Sequence, residues 1–310
     1  LIKNLDEIPM PAWHLFPSFK KYKNLRGVTK RPYAPIITSR GCPYGCNWCE
    51  KNIHGYEFRE RSAENVVEEI IFDVKNYGVK EIAIMDDCFS LDEIRLKKIC
   101  VLLKKHQLNV ILNLYNGIRA DTINESMIQY LRLIGINRIT VGVESGNQAI
   151  VKKIGKALDL NAVLNAVKIC KKYNIIIDGF FILGHPYDTL KTMEETIQFA
   201  IDANFDHSYF FVAIPFPGTK LFDIVKQNAT ILYDISKGAD HHIVEGIPVF
   251  YTQNFTAEEL RKKYEESYKR FYFRPKKLVS LGILYFRLFL RYLSIDQIKW
   301  LISQTIHLFR

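Results

Sequence analysis

Apolar and polar residues change period repeatedly between residue 33 and about residue 215. Short apolar runs at 34–39, 81–85, 109–115, 138–143, 175–183 and 208–214 read as strands. Between them, apolar residues recur at three- and four-residue spacing. That pattern predicts helices over 62–77, 91–106, 161–173 and 190–203, and a further one opening at the capping-box pattern Thr122-x-x-Glu125. The first helix shows it plainly: Ser62 stands as N-cap before Val66, Val67, Ile70, Ile71 and Val74.

Six strand–helix units in succession predict an α/β fold with a parallel sheet covered by helices. A barrel of this kind places its chemistry at the C-terminal ends of its strands. The unusual residues fall there. Cys42 follows the first strand, Asp86 and Asp87 the second, and Asn116 the third. Glu144 ends the fourth, Gly184-His185-Pro186 follows the fifth, and Pro215-Phe216-Pro217-Gly218 the sixth. Residues 1–30 have no clear period. Beyond about residue 226 the pattern weakens, until Thr256-x-x-Glu259 announces a helix and a second long helical stretch begins near Lys277.

Composition alters this picture little: 48% apolar and 25% charged residues are ordinary for a globular chain. The net charge of +10 is unevenly placed. Residues 268–310 hold nine Lys or Arg against the single acid Asp296, so the basicity belongs to the tail. No secretory signal and no run of 18 uncharged apolar residues is visible. Of the six cysteines, Cys88, Cys100 and Cys170 are scattered singly, which suits a reducing cytoplasm better than a disulfide scaffold.

The other three cysteines are the sharpest chemical signal. Cys42-x3-Cys46-x2-Cys49 lets one tight loop reach three corners of an iron–sulfur cube and leaves one iron open for a ligand. Gly41 and Gly45 allow the loop to turn. The competing reading is a zinc site with His54 as fourth ligand, although structural zinc sites usually come as paired C-x2-C units.

Gly41-Cys42-Pro43-Tyr44-Gly45-Cys46-Asn47-Trp48-Cys49 resembles the C-x3-C-x-aromatic-C signature of radical S-adenosylmethionine enzymes. The resemblance covers residues 31 to about 225 and implies a partial (β/α)6 barrel of the radical SAM type, here with a helical C-terminal extension. It implies a [4Fe-4S] cluster on the three cysteines. The open iron would chelate S-adenosylmethionine, and reductive cleavage would give a 5′-deoxyadenosyl radical. Trp48 would lie against the adenine. Asp86 or Asp87 would take the methionine amino group, where many members carry Gly-Gly-Glu. Arg119, in Asn116-Gly117-Ile118-Arg119, would pair with the methionine carboxylate or with a structural acid. Glu144, in Val141-Gly142-Val143-Glu144-Ser145-Gly146, would hold the ribose. Gly184, in Phe181-Ile182-Leu183-Gly184-His185-Pro186, would belong to the adenine-binding segment.

Leu5-Asp6-Glu7-Ile8-Pro9-Met10-Pro11-Ala12-Trp13 and Ile214-Pro215-Phe216-Pro217-Gly218-Thr219 are similar to segments of the cobalamin-associated branch, as is Phe273-Arg274-Pro275. The expected organisation is therefore a linker over 1–30 from an N-terminal cobalamin-binding domain lying before Leu1, a radical SAM core over 31–225, and a basic helical region over 226–310. The expected activity is cobalamin-dependent methylation or rearrangement of an unactivated carbon, the rival being a cobalamin-independent radical enzyme. The expected partners are a small-molecule or lipid substrate and an electron donor such as flavodoxin or ferredoxin. A peripheral contact with the inner face of the membrane is expected through the tail, whose Ser280, Arg287, Arg291 and Ser294 share one helical face while Leu281, Leu284, Leu288 and Phe289 lie away from it. A third reading, from another class, is a zinc-stabilised nucleic-acid-binding module. The tail aromatics Tyr272, Phe273, Tyr285 and Phe286 are interleaved with Leu and Ile, which suits apolar packing better, so no nucleic acid is expected.

Overall fold

The computed structural model describes residues 1–21, 30–114, 116–235 and 245–292, the side chains of residues 20 and 287–292 excepted. Its centre is six parallel strands: β1 (Tyr33–Ile36), β2 (Glu81–Ile84), β3 (Ile111–Leu114), β4 (Arg138–Glu144), β5 (Ile176–Leu183) and β6 (His207–Val212). They pair as two three-stranded sheets in the order β1-β2-β3 and β4-β5-β6. Among the described residues a parallel bridge between Ile118 and Val141 joins the two sheets into one partial barrel.

The helices wrap one side of this sheet, each between the strands it follows: α1 (Ala63–Tyr77), α2 (Glu93–Lys105), α3 (Glu125–Leu133), α4 (Gln148–Lys153), α5 (Leu160–Lys172), α6 (Leu190–Asp202) and α7 (Lys220–Asn228). Alternation sorts the strand residues. Ile139, Val141 and Val143 of β4 and Ile177, Phe181 and Leu183 of β5 are buried in the helix-side core. Phe180, Tyr209 and Phe211 on the opposite face are half-buried and meet edge to face at 5.4 Å.

The expected elements are present, with local differences. Ser62 caps α1, its side chain accepting from the Asn65 N–H, and the Thr256–Glu259 capping box is formed. Thr122 does not cap a helix: it ends a short 3-10 turn, and Asn124 caps α3 by accepting from the Met127 N–H. The first strand stops at Ile36, because residues 39–40 pair instead with 59–60 as a separate two-residue ribbon. The expected third strand runs only over Ile111–Leu114, and Tyr115 lies outside the described residues.

Two further helices follow, α8 (Ala257–Tyr272) and α9 (Pro275–Tyr292). Strand β6 is an open edge, and α8 covers it. The Tyr268 hydroxyl donates to the Phe210 carbonyl (3.0 Å) and accepts from its N–H (3.1 Å). Tyr272, one turn on, does the same for Ser208 (3.0 and 3.2 Å). Exposed edge groups thereby find partners without another strand. On α9, Val279, Ile283 and Phe286 are exposed, whereas Leu281 and Leu284 are half-buried. The side chains of Arg287, Leu288, Phe289 and Arg291, and Ser294 altogether, lie outside the described residues. Among the described residues no helix is long and apolar enough to cross a membrane. At the other end, Leu5 is buried and Asp6 accepts from the Ser62 N–H at 2.8 Å, so the first residues pack beside the start of α1.

Candidate functional site

The end of β1 delivers the chain into the cysteine loop. Gly41 opens it with φ +84°, and a Cβ there would lie 2.2 Å from the Glu57 carbonyl oxygen, so only glycine fits. The loop is held from several directions. Cys42 N–H donates to the Gly55 carbonyl at 3.3 Å, and the Lys51 ammonium donates to the carbonyls of Cys42 (3.1 Å) and Tyr44. Asn47 N–H donates to the Ile154 carbonyl at 3.0 Å, and its carbonyl accepts from Leu221 N–H at 2.8 Å.

Cys42, Cys46 and Cys49 are free thiols. A hydrogen bond from the Cys88 thiol holds Cys42 down to about 6, while burial pushes Cys46 up and Cys49 up to about 11. Cys88, one of the singly placed cysteines, is buried and thus touches the cysteine loop. Among the described residues no group of three or more His, Cys, Asp or Glu is arranged to hold a metal ion. A tetrahedral zinc with His54 would need its four ligands to converge on one point. A cube taking one thiolate on each of three irons does not need the thiolates to converge on one point. The donor set fits such a cluster.

The two aspartates after β2 separate clearly. Asp86 is buried, and its carboxylate accepts from the Thr38 N–H (2.6 Å), the Thr38 hydroxyl (2.5 Å) and the Ser39 hydroxyl (2.6 Å). It ties β2 to β1. Asp87 is exposed and, among the described residues, accepts only from Gly41 N–H, at 3.2 Å, beside Cys42. Asn116 donates to the carbonyls of Met85 and Asp86 at 2.8 and 3.3 Å, tying the ends of β2 and β3.

Arg119 sits with a structural acid. It grips Asp121 through Nε and Nη2 at 2.9 and 2.6 Å, donates to the carbonyls of Lys156 and Ala157, and lies 3.6 Å from the Tyr44 ring centroid. Its donors are committed to fixing the loops around it.

Glu144 ends β4 with φ +70°, a rare conformation for a side-chain-bearing residue, at a shift in the β4–β5 register. Its carboxylate is buried and pairs with Lys156 at 2.6 Å. Gly142 makes room for this pair: a Cβ there would come 2.5 Å from Glu144 Oε1 and 2.8 Å from Lys156 Nζ. Gly146 instead lets the chain pass α6, where a Cβ would meet Phe199 at 2.4 Å. The Lys156 ammonium also lies 5.5 Å from the Trp48 ring centroid, which brings the ends of β1 and β4 together.

Gly184 ends β5 at φ +81°, against Leu260 of α8. Its N–H and that of His185 both donate to Asp188, at 3.1 and 2.9 Å. The His185 ring lies 5.7 Å from that of Trp48. The structure thus gathers the cysteines, Trp48, Asp87 and Glu144 at one end of the barrel. Lys156, Lys51 and Asn47 join them without having been singled out in the sequence. Lys156 stands in a short loop after α4 with no motif around it, and its place is set by Gly142 across the strand.

Comparison with known proteins agrees with this architecture. Residues 36–200 match the Radical SAM superfamily. An uncharacterized methyltransferase of Pyrococcus horikoshii is 34% identical over 281 residues, covering 90% of this chain and 59% of that protein. The cytidylyl-2-hydroxyethylphosphonate methyltransferase of Streptomyces wedmorensis is 28% identical over 231 residues, covering 70% of this chain and 42% of the relative. This chain spans about half the length of these relatives. The solved structure of the radical S-adenosylmethionine methyltransferase TsrM from Kitasatospora setae, with cobalamin and a [4Fe-4S] cluster bound, superposes with a TM-score of 0.56 at 19% identity, over 63% of this chain and 39% of that one. With more than half of its length inside the matched segment, and the cysteine loop at the mouth of a six-stranded partial barrel, the chain belongs to the Radical SAM superfamily.

Proposed function

We propose that this chain is the catalytic core of a radical S-adenosylmethionine methyltransferase that acts on an unactivated carbon of a small molecule or lipid. The observation that carries the reading is the set of three free thiols on one clasped loop, with Trp48, Asp87 and Glu144 from neighbouring strand ends around it. When bound, the cluster supplies the electron that cleaves S-adenosylmethionine reductively and so opens unactivated carbons to attack. The chain's own residues bind and orient. Cys42, Cys46 and Cys49 hold three irons. Asp87, exposed beside the loop, accepts from the methionine ammonium, and Asp86 positions it from behind. Glu144 accepts from the ribose hydroxyls, with Lys156 balancing its charge. Trp48 lies against the adenine, and Gly184 keeps the end of β5 close-packed behind it. Arg119 positions Tyr44 and residues 156–157 instead of reaching the methionine carboxylate.

Methyl transfer with cobalamin as carrier is supported by the methyltransferase names of the relatives and by the segments at 5–13 and 214–219. Gly218 closes the second of these against Glu50 and Asn52, next to Cys49. The reaction needs a reductant, for which flavodoxin or ferredoxin is the proposed donor in a cytoplasmic setting. Anaerobic reconstitution tests the core of this reading. The protein should take up about four irons, and Cys46→Ala should lose them. Full iron retention when all three cysteines are replaced by alanine would sink the assignment.

The tail is proposed to rest on an anionic membrane surface. The exposed Val279, Ile283 and Phe286 supply apolar contact, and the exposed Lys269 and Lys276 supply charge. Vesicles containing phosphatidylserine should co-sediment the protein at low salt and release it at high salt. Binding indifferent to both salt and lipid charge would remove the electrostatic part.

A further inference from the structure

The segments that follow β1 and β2 run side by side and are tied at successive positions. Thr38 and Ser39 both donate to Asp86, and Gly41 N–H donates to Asp87 at 3.2 Å. One residue further along each segment, Cys42 meets Cys88. Cys88 is buried, and its thiol donates to the Cys42 sulfur. Its carbonyl accepts from Leu91 N–H at 3.4 Å, which fixes the turn that carries the thiol. Cys88 stands outside the Cys42-x3-Cys46-x2-Cys49 pattern, and the roles proposed for the cysteine loop do not use it. Filling a small buried space does not call for sulfur, since alanine serves that purpose without a reactive group.

We propose that Cys88 is a positioning residue for the cluster, whose thiol donates to the Cys42 thiolate, holds that sulfur in place and raises the cluster's reduction potential. The inference rests on the cluster reading above and adds a residue to it. A sulfur bonded to iron is a thiolate and can only accept, so in this pair the S–H of Cys88 is the donor. Hydrogen bonds to ligand sulfurs help to set the potential of an iron–sulfur cluster. The sign follows from charge: the reduced cluster carries one more electron, and a donor pointed at its ligand favours that state. Lys51, whose ammonium binds the Cys42 carbonyl at 3.1 Å, acts on the same corner with the same sign, while the Asp87 carboxylate beside Gly41 opposes it. A cluster made easier to reduce suits a chain that must take its electron from a separate reductant.

Potentiometric titration of the reconstituted protein, followed by electron paramagnetic resonance of the reduced cluster, tests this. Iron per chain is measured first for wild type, Cys88→Ala and Cys88→Ser. Cys88→Ala should keep its iron and shift to a more negative midpoint potential. Cys88→Ser, whose hydroxyl also donates, should recover most of that shift. Electron–nuclear double resonance in ordinary and heavy water should show an exchangeable proton coupled to the wild-type cluster that Cys88→Ala lacks. If Cys88→Ala holds too little iron to titrate, Cys88→Val and Cys88→Thr replace it: they match in shape and differ in the hydroxyl, and the valine variant should have the more negative potential. Equal potentials with and without the donor overturn the proposal. So does loss of iron from every variant, which would make Cys88 a ligand or a packing residue. If wild type itself takes up no iron, the cluster reading falls and this proposal with it.

Discussion

Glu144 carries two costs at once: a left-handed backbone, worth roughly 1–3 kcal/mol for a side-chain-bearing residue, and a buried carboxylate. The Lys156 ammonium at 2.6 Å offsets the second cost. The first persists only if the surrounding structure imposes it, and the register shift at the end of β4 does so. Such strain motivates the proposed role in cofactor binding. Glu144→Ala should weaken S-adenosylmethionine binding by about ten- to a hundredfold, the loss of a charge-assisted hydrogen bond. It also leaves Lys156 without its partner, so Glu144→Gln is the better control for charge alone. Equilibrium titration of the reconstituted protein reads both, and an affinity equal to wild type in both variants would take Glu144 out of the site. The place of Glu144 at the end of an apolar strand was legible in the sequence; its ion pair with Lys156 was not. Nor was it legible which of Asp86 and Asp87 is enclosed, since two adjacent acids look alike until Thr38 and Ser39 are seen to bond to one of them. Nor was the contact of Cys88 with Cys42, which depends on how the segments after β1 and β2 run together.

At the scale of elements, the half-barrel must manage an open edge, and α8 does so with two tyrosines one turn apart. Tyr268 and Tyr272 each bridge the N–H and carbonyl of one residue of β6. Replacing either by phenylalanine keeps the ring packing and removes the hydroxyl. The prediction is a loss of about 1–3 kcal/mol per site, read as a lower melting temperature. Light scattering should show more self-association on heating, because the freed edge is a template for another strand. A double variant that melts like wild type would show that water satisfies this edge unaided. None of this pairing could be read from the sequence, where the tail tyrosines pass for apolar packing. The strands and long helices could be read, since their period is strong over many residues. Element ends were less secure. Thr122 and Asn124 are both good capping residues, and the competition was settled by Asn124 reaching the Met127 N–H while Thr122 bonded back to the Arg119 carbonyl and to Ser90. The six residues of α4 are too few to show a helical period.

At the scale of the molecule, the two three-stranded sheets meet, among the described residues, through the strand bridge of Ile118 with Val141. Gly117 permits that approach, since a Cβ there would lie 2.5 Å from the Thr140 carbonyl oxygen. The cysteine loop provides the second connection. It leaves the first sheet at β1, yet it is clasped by the second half: Asn47 bonds to Ile154 and Leu221, and Gly45 lies against Gly155. Gly155 has φ +73°, and a Cβ there would come 2.5 Å from the Gly45 carbonyl oxygen. Alanine at this position is strained in its own backbone and also presses on the loop between Cys42 and Cys46. A cluster bound to three thiolates requires all three to be held in one arrangement, so a shift of the loop matters even though no thiolate is altered. Gly155→Ala should therefore leave the strand and helix content unchanged by circular dichroism, yet lower the iron bound after reconstitution and hasten its loss in air. Because the same contact joins the halves of the barrel, loading the cluster should raise the melting temperature of wild type by more than that of the variant. Gly78→Ala is the matched control: it too places alanine at positive φ, +63°, but at the end of α1, where an added Cβ meets nothing within 4 Å. If both variants lost stability equally and kept their iron equally well, the clasp would be ordinary packing, and the cysteine loop would owe its shape to the first sheet alone.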